Sequence, residues 1–275
     1  MSSSGRSRLS ALSSALFATL LGLLVSVPIA VGLAYLRVLA STGTLPALSA
    51  AEFVVSGQLG GDAVGMALAV SASSLALMLV LGWYSFFDRV DRRWRIPLGS
   101  ARPRTLVAVS AAMFGLSMIL STSIGLLGYE SASLDEMRLV FDSAGPWGRL
   151  ALVPVIGWMA GVCEELFFRG LILERLRRTW SDPVAIAVSS VLFGIMHLDP
   201  VHALAAAGMG ALLGIVAVRE RTIVPSMVAH VVNNTIVTLA PGLESDENRW
   251  ALLIAGVALL GVGAYGLARL EPSGT

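Results

Sequence analysis

The chain has 275 residues, of which 56% are hydrophobic and 13% charged, and a formal net charge of +1; its mean hydropathy is +0.79. A soluble globular domain carries about 25% charged residues, so the composition excludes that class and describes an all-α polytopic membrane protein. A net charge this small gives no reason to expect nucleic acid or acidic substrates as partners, and the single cysteine, Cys163, excludes an intramolecular disulfide.

In chain order, a short polar stretch with Arg6 and Arg8 precedes a first apolar span from about Ala11 to Tyr35. This run exceeds the ~7 to 15 apolar residues of a cleavable signal peptide and reads as a helix that stays. A polar connection with Pro46, Gly60 and Gly61 leads to a second span, Ala63 to Phe86, and then to Asp88 through Arg104, which holds six arginines. The third span runs from Leu106 to Gly128, and the acidic stretch Glu130 to Trp147 reads as an interfacial helix or a loop. The fourth, Leu150 to Leu173, ends in Glu174-Arg175-Leu176-Arg177-Arg178.

Pro183 opens a fifth span ending near His197, where Asp199-Pro200 breaks the pattern. The sixth, His202 to Val218, carries Gly210 and Gly214 four apart on one face, a spacing that allows close helix packing. Arg219-Glu220-Arg221 turns into the seventh, Ile223 to Leu239, and an acidic connection, Glu244 to Glu247, leads to the eighth, Trp250 to Leu267. About eight transmembrane helices in one bundle are therefore expected, divided into an N-terminal segment (1–10), three first helices (11–146), a core (147–240) and a last helix with its tail (241–275). With both termini inside, 14 arginines fall in cytoplasmic segments and four (Arg37, Arg138, Arg149, Arg249) outside, in keeping with the positive-inside rule. The absence of lysine beside abundant Ala, Gly, Leu and Val suits a GC-rich bacterial genome, so a bacterial plasma membrane is the expected location.

The fourth span is the unusual one. Glu164, Glu165 and Arg169 lie inside it, and an ionisable residue within a membrane helix is costly enough to mark a functional site by default. Glu165 and Arg169 are four apart in the favoured order and can neutralise each other, which leaves Glu164, about 100° round the helix, as the carboxylate free to take and return a proton. His197 lies about fourteen residues into its span and Asn234 about twelve into the seventh, one turn beyond His230, so these groups fall at similar depth. Phe193 shares a face with His197, as His230 does with Asn234. A base, a partner imidazole and two donors for an oxyanion are thus available.

Glu164-Glu165-Leu166-Phe167-Phe168-Arg169, Phe193-Gly194-Ile195-Met196-His197 and His230-Val231-Val232-Asn233-Asn234 follow the patterns EExxxR, FxxxH and HxxxN. Over Trp147 to Leu239 the chain resembles the CaaX-protease and bacteriocin-processing (CPBP) family, which includes the type II CaaX prenyl endopeptidases. The resemblance implies an eight-helix intramembrane endopeptidase acting on a membrane-associated protein or peptide, in a family whose eukaryotic members cleave prenylated CaaX tails. It implies that Glu164 with His197 activates the attacking water, that His230 and Asn234 hold the oxyanion, and that Glu165 and Arg169, with Phe193, shape the site.

A zinc alternative uses Glu164, His197 and His230 as a His₂Glu ligand set. The chain lacks HExxH, and a mechanism without metal or other cofactor is favoured. A non-proteolytic transporter, scaffold or immunity protein is the alternative from another class, since proton relays also use intramembrane Glu and His. Structural readings stand beside these: a charge cluster that fixes helix register, an interhelical hydrogen-bonding stripe at His230 and Asn234, an interfacial His202, an inert Cys163, and Asn233 facing a neighbouring helix. Nothing in the sequence specifies the substrate or the oligomeric state.

Overall fold

The computed structural model describes residues 3–50, 55, 57–87, 95–241 and 248–271, with the backbone alone for 3–6, 48 and 87. Part of the arginine-rich connection (88–94), the acidic connection (242–247) and the chain ends 1–2 and 272–275 lie outside the described residues. Within them the order is α1 (Ser3–Thr42), α2 (Ala63–Phe87), α3 (Pro103–Leu126), α4 (Ala132–Arg177), α5 (Asp182–Ile195), α6 (Pro200–Glu220), α7 (Val224–Leu239) and α8 (Arg249–Arg269), with no strand. Many large apolar side chains point outward, among them Leu24, Leu79, Val107, Ile254 and Val262. In lipid this arrangement carries no penalty, because the hydrocarbon is as apolar as the side chains.

Six of these helices are long and apolar enough to cross a membrane among the described residues. The expected count of eight spans is not reached by length, because α5 has 14 residues and α7 has 16. At 1.5 Å per residue they extend about 21 and 24 Å, against a hydrocarbon core of about 30 Å. Both carry candidate site residues, and the turn after α5 bends through Leu198 in the left-handed region (φ 59°). Irregular backbone within a membrane is tolerated where it lines a cavity or is buried in protein, and this turn borders a cavity.

The stretch 130–147 is a helix and not a loop. Ser131 caps it by accepting from the Leu134 N–H at 3.3 Å. Gly145 (φ 64°, ψ −179°) breaks the helical path, and Pro146, which lacks an N–H, starts it again. The segment that carries the fourth span therefore starts at Pro146, close to the expected Leu150. Farther along, α4 widens into π-helical turns at Val153–Ala160 and Leu166–Leu173, on either side of Glu164 and Glu165. Such turns are rare and frequent at functional sites.

Two tight helix pairs organise the bundle. α3 and α8 approach so closely that a Cβ on Gly263 would stand 2.5 Å from the Ala108 carbonyl oxygen, and one on Gly115 2.5 Å from the Leu260 nitrogen. α5 and α6 pack through Gly194 against Ala203, Gly210 against Phe193, and Gly214 against Ile186, as the small-residue face of α6 predicted. The main apolar core joins Phe167, Phe168, Leu171 and Ile172 of α4 to Leu192 and Phe193 of α5, Ala206 of α6 and Leu77 of α2.

The arginine-rich ends gather on one face of the bundle. Arg8 donates to the Thr179 carbonyl (3.2 Å), Arg102 to that of Glu271 (3.2 Å) and Arg219 to that of Leu270 (2.7 Å). Tyr129, Asp135, Arg138 and Arg249, which line the cavity, belong to the opposite helix ends.

Candidate functional site

α4 and α7 meet where both have small contact residues. A Cβ on Gly157 would stand 2.6 Å from Thr235 Oγ1, and one on Gly161 3.1 Å from Val231 Cγ2. This approach brings the carboxylates of α4 to the imidazole of α7. Glu165 Oε1 accepts from Arg169 Nη1 at 2.7 Å and lies 3.0 Å from His230 Nδ1. Since an ionised carboxylate only accepts, that contact places the proton on Nδ1 and leaves His230 Nε2 toward Glu164, whose Oε2 is 3.6 Å away.

Arg169 is fully engaged. Its second nitrogen, Nη2, donates to the Gly210 carbonyl at 2.9 Å, and its guanidinium lies over the Phe193 ring, 4.8 Å from the centroid. Glu165 and Arg169 are 0% and 1% exposed. A buried pair is tolerable only when its remaining hydrogen-bonding capacity is met, and Gly210 and His230 do much of that here. Glu165 Oε2 has no hydrogen-bond partner among the described residues. Glu164 keeps 22% of its side chain exposed, and the surface it exposes lines the cavity.

Phe193 is the aromatic hub. Its ring meets His197 edge to face at 5.1 Å and His230 at 5.9 Å, besides carrying Arg169. His197 Nδ1 is 3.0 Å from the Phe193 carbonyl oxygen, which takes the proton on that nitrogen and leaves Nε2 with a lone pair. Asn234 holds its amide by donating to the Ile156 carbonyl at 3.3 Å.

A cavity of about 440 Å³ is lined by Glu164, His197, His230 and Asn234 together with Phe168 and Phe193. The structure thus brings all four candidate catalytic residues to one cavity, with Phe193 in its wall and Glu165 and Arg169 behind it. The cavity draws its walls from α2 to α8, with Phe193 as the contribution of α5.

Two residues set aside in the sequence lie here. Asn233, expected to face a neighbouring helix, is buried in the bundle, also lines the cavity, and its amide donates to Asn234 Oδ1 at 3.4 Å. His202 also lines the cavity, and its ring stands 4.3 Å from that of His197. The signal available for His202 was the Asp-Pro break just before it, since Asp199 caps α6 by accepting from the His202 N–H at 2.8 Å. Cys163 is half-buried and not part of this network.

The separation of Glu164 and His230 would suit two ligands of one tetrahedral zinc. A third is wanting: among the described residues no three His, Cys, Asp or Glu side chains are grouped closely enough to hold one metal ion. As arranged, Glu164, His197 and His230 do not form the ligand set.

Residues 146–236 match the family model described as type II CAAX prenyl endopeptidase Rce1-like. The chain is also 31% identical over 104 residues to the Bacillus subtilis (strain 168) protein YdiL, named as a candidate membrane peptidase. That match covers 36% of this chain and 43% of YdiL. No solved structure matches the chain. Glu164, Arg169, His197, His230 and Asn234 all fall within the family match.

Proposed function

We propose that this chain, whose residues 146–236 match the type II CAAX prenyl endopeptidase Rce1-like family model, is an integral-membrane endopeptidase that hydrolyses a peptide bond in a membrane-associated protein or peptide. The observation that carries this reading is the division of labour between the two adjacent carboxylates. Glu165 is wholly buried and committed to Arg169 and His230, whereas Glu164 is exposed to a cavity that it shares with His197. Glu164 takes one proton from a water that the free Nε2 of His197 orients by accepting its other hydrogen, and the resulting hydroxide adds to the scissile carbonyl. The same groups return a proton to the leaving amine.

The developing oxyanion is held by His230 and Asn234. Because His230 Nδ1–H is already directed at Glu165, the donor to the oxyanion is Nε2–H, which requires a doubly protonated ring. Glu165 stabilises that imidazolium, a role beyond shaping the helix. Asn234 contributes its amide from one turn away on the same face of α7. No step in this mechanism needs a metal.

The arginine-bearing face lies on the cytoplasmic side, with both termini there, and the lining of the cavity extends toward the other side at Tyr129, Asp135 and Arg138. The composition supports a bacterial plasma membrane as its location.

The test compares purified wild type, Glu164→Ala, His197→Ala and Asn234→Ala for cleavage of a panel of quenched fluorescent peptides, with and without a zinc chelator. Cleavage by wild type that resists the chelator and is lost in all three folded variants is expected. Chelator sensitivity reversed by zinc would move Glu164, His197 and His230 into a metal site. Electrogenic proton uptake lost in Glu164→Gln would replace the peptidase reading with that of a transporter.

A further inference from the structure

The turn that carries His197 is held by a second polar cluster outside the three motifs. Ser131 Oγ donates to Asp199 Oδ1 at 2.9 Å, and Ser133 Oγ is 3.1 Å from His202 Nδ1. Both serines belong to the start of α4, on the amphipathic segment before the Gly145 break, and Leu134 and Met137 of that segment line the cavity. The His202 backbone is fixed by the Asp199 cap, and its ring leans on His197 with centroids 4.3 Å apart and planes at 59°. His197 also meets Phe193 edge to face.

We infer that His202 is a positioning residue: anchored by Ser133, it clamps the His197 imidazole against Phe193, so that Nδ1 stays on the Phe193 carbonyl and Nε2 stays available to the cavity. A ring on a turn just past a helix end would otherwise be free to change rotamer, and a shift of about 1 Å in a reacting group can cost two orders of magnitude in rate. The clamp makes the start of α4 part of the site, although it lies 31 residues before Glu164 in sequence, counted from Ser133. This inference rests on the proposed role of His197.

The chain holds three histidines, His197, His202 and His230, so ¹⁵N-histidine labelling gives a spectrum that each single substitution assigns. In His202→Ala the His197 ring signals are expected to move and kcat on a cleaved peptide to fall roughly tenfold, with KM within about twofold of wild type. His202→Phe, which restores a ring without the serine bond, should recover kcat to within about threefold of wild type. Ser133→Ala, which removes the anchor and keeps the ring, should shift the His202 Nδ1 signal and give an intermediate kcat; it also serves if His202→Ala does not fold. The inference is overturned if His202→Ala or Ser133→Ala leaves kcat and the His197 signal unchanged, if only KM responds, or if the Phe and Ala variants are equally slow. Should His197→Ala cleave like wild type, the catalytic role of His197 fails. The His197 signal in His202→Ala then decides the clamp by itself.

Discussion

Two carboxylate–guanidinium pairs of similar length hold different regions of the molecule. Glu165 and Arg169, in the middle of α4, meet at 2.7 Å with side chains 0% and 1% exposed. Arg37 near the end of α1 and Asp62 before α2 meet at 2.5 Å with 24% and 53% exposed. Ranked by distance the outer pair would count for at least as much as the inner one. Their surroundings reverse that order, since water and salt weaken the outer pair and nothing replaces the partner of the inner one once it is removed. The inner pair also has a third member, His230, through which its charge reaches the cavity.

Removing one half of the inner pair should have the largest effect. Arg169→Ala leaves Glu165 in the interior without its guanidinium, and a buried charge stripped of its partner costs about 3–5 kcal/mol. Loss of monodisperse protein in detergent, or a large fall in Tm, is the expected outcome. Arg169→Lys should fail nearly as badly, because an ammonium cannot serve Glu165, the Gly210 carbonyl and the Phe193 face with the geometry of a guanidinium.

A smaller change should separate catalysis from stability. Glu165→Gln keeps a side-chain oxygen for Arg169 but withdraws the negative charge that supports a protonated His230. The protein should fold, with Tm reduced, while peptide cleavage falls by roughly 10²-fold, the scale of losing an oxyanion donor. Wild-type cleavage by this variant would show that His230 works without Glu165. Gly161→Val attacks the same contact by spacing: its methyls would enter the space of Val231 and push α7 from α4, costing about 1–3 kcal/mol and lowering cleavage with it.

The inner pair was legible in the sequence because it lies on one helix, where a spacing of four decides contact. The bond from Glu165 to His230 was not, since it joins helices 65 residues apart and depends on how far Gly157 and Gly161 let α7 approach. Hydropathy found the apolar run of each of α1 to α8, but it could not show that α5 stops at Ile195 and that the chain reaches His197 in a turn, because Met196 and Leu198 are as apolar as the helix before them. The stretch 130–147 was left open between helix and loop because it is acidic and lacks an apolar run; in the structure it is helical from Ala132 and kinks at Gly145-Pro146 into the apolar part of α4. His202 was set aside for standing five residues past His197, a spacing that separates faces on a continuous helix. The Asp199-Pro200 break starts a new helix and folds the ring back onto His197.

The outer pair gives the smallest effect and a sign that can be checked. Asp62 lies below the usual carboxylate range because Arg37 donates to it and because it accepts the Gly65 N–H at 2.7 Å as the cap of α2. A carboxyl whose pKa is lower in the folded state contributes stability above its unfolded pKa, and the contribution disappears as the pH falls through the folded value. With Asp62 half-exposed, the contribution is about 0–1 kcal/mol at neutral pH. Asp62→Asn should therefore lower Tm slightly at pH 7, and the gap from wild type should close on acidification below about pH 4. High salt should narrow the gap as well, while leaving the loss in Arg169→Ala nearly untouched, because a Debye length near 3 Å at 1 M screens a rim and not an interior. If salt narrowed both differences alike, the inner pair would have to be wetter than its burial indicates, and the assignment of Glu165 as a committed, structural carboxylate would fall with it.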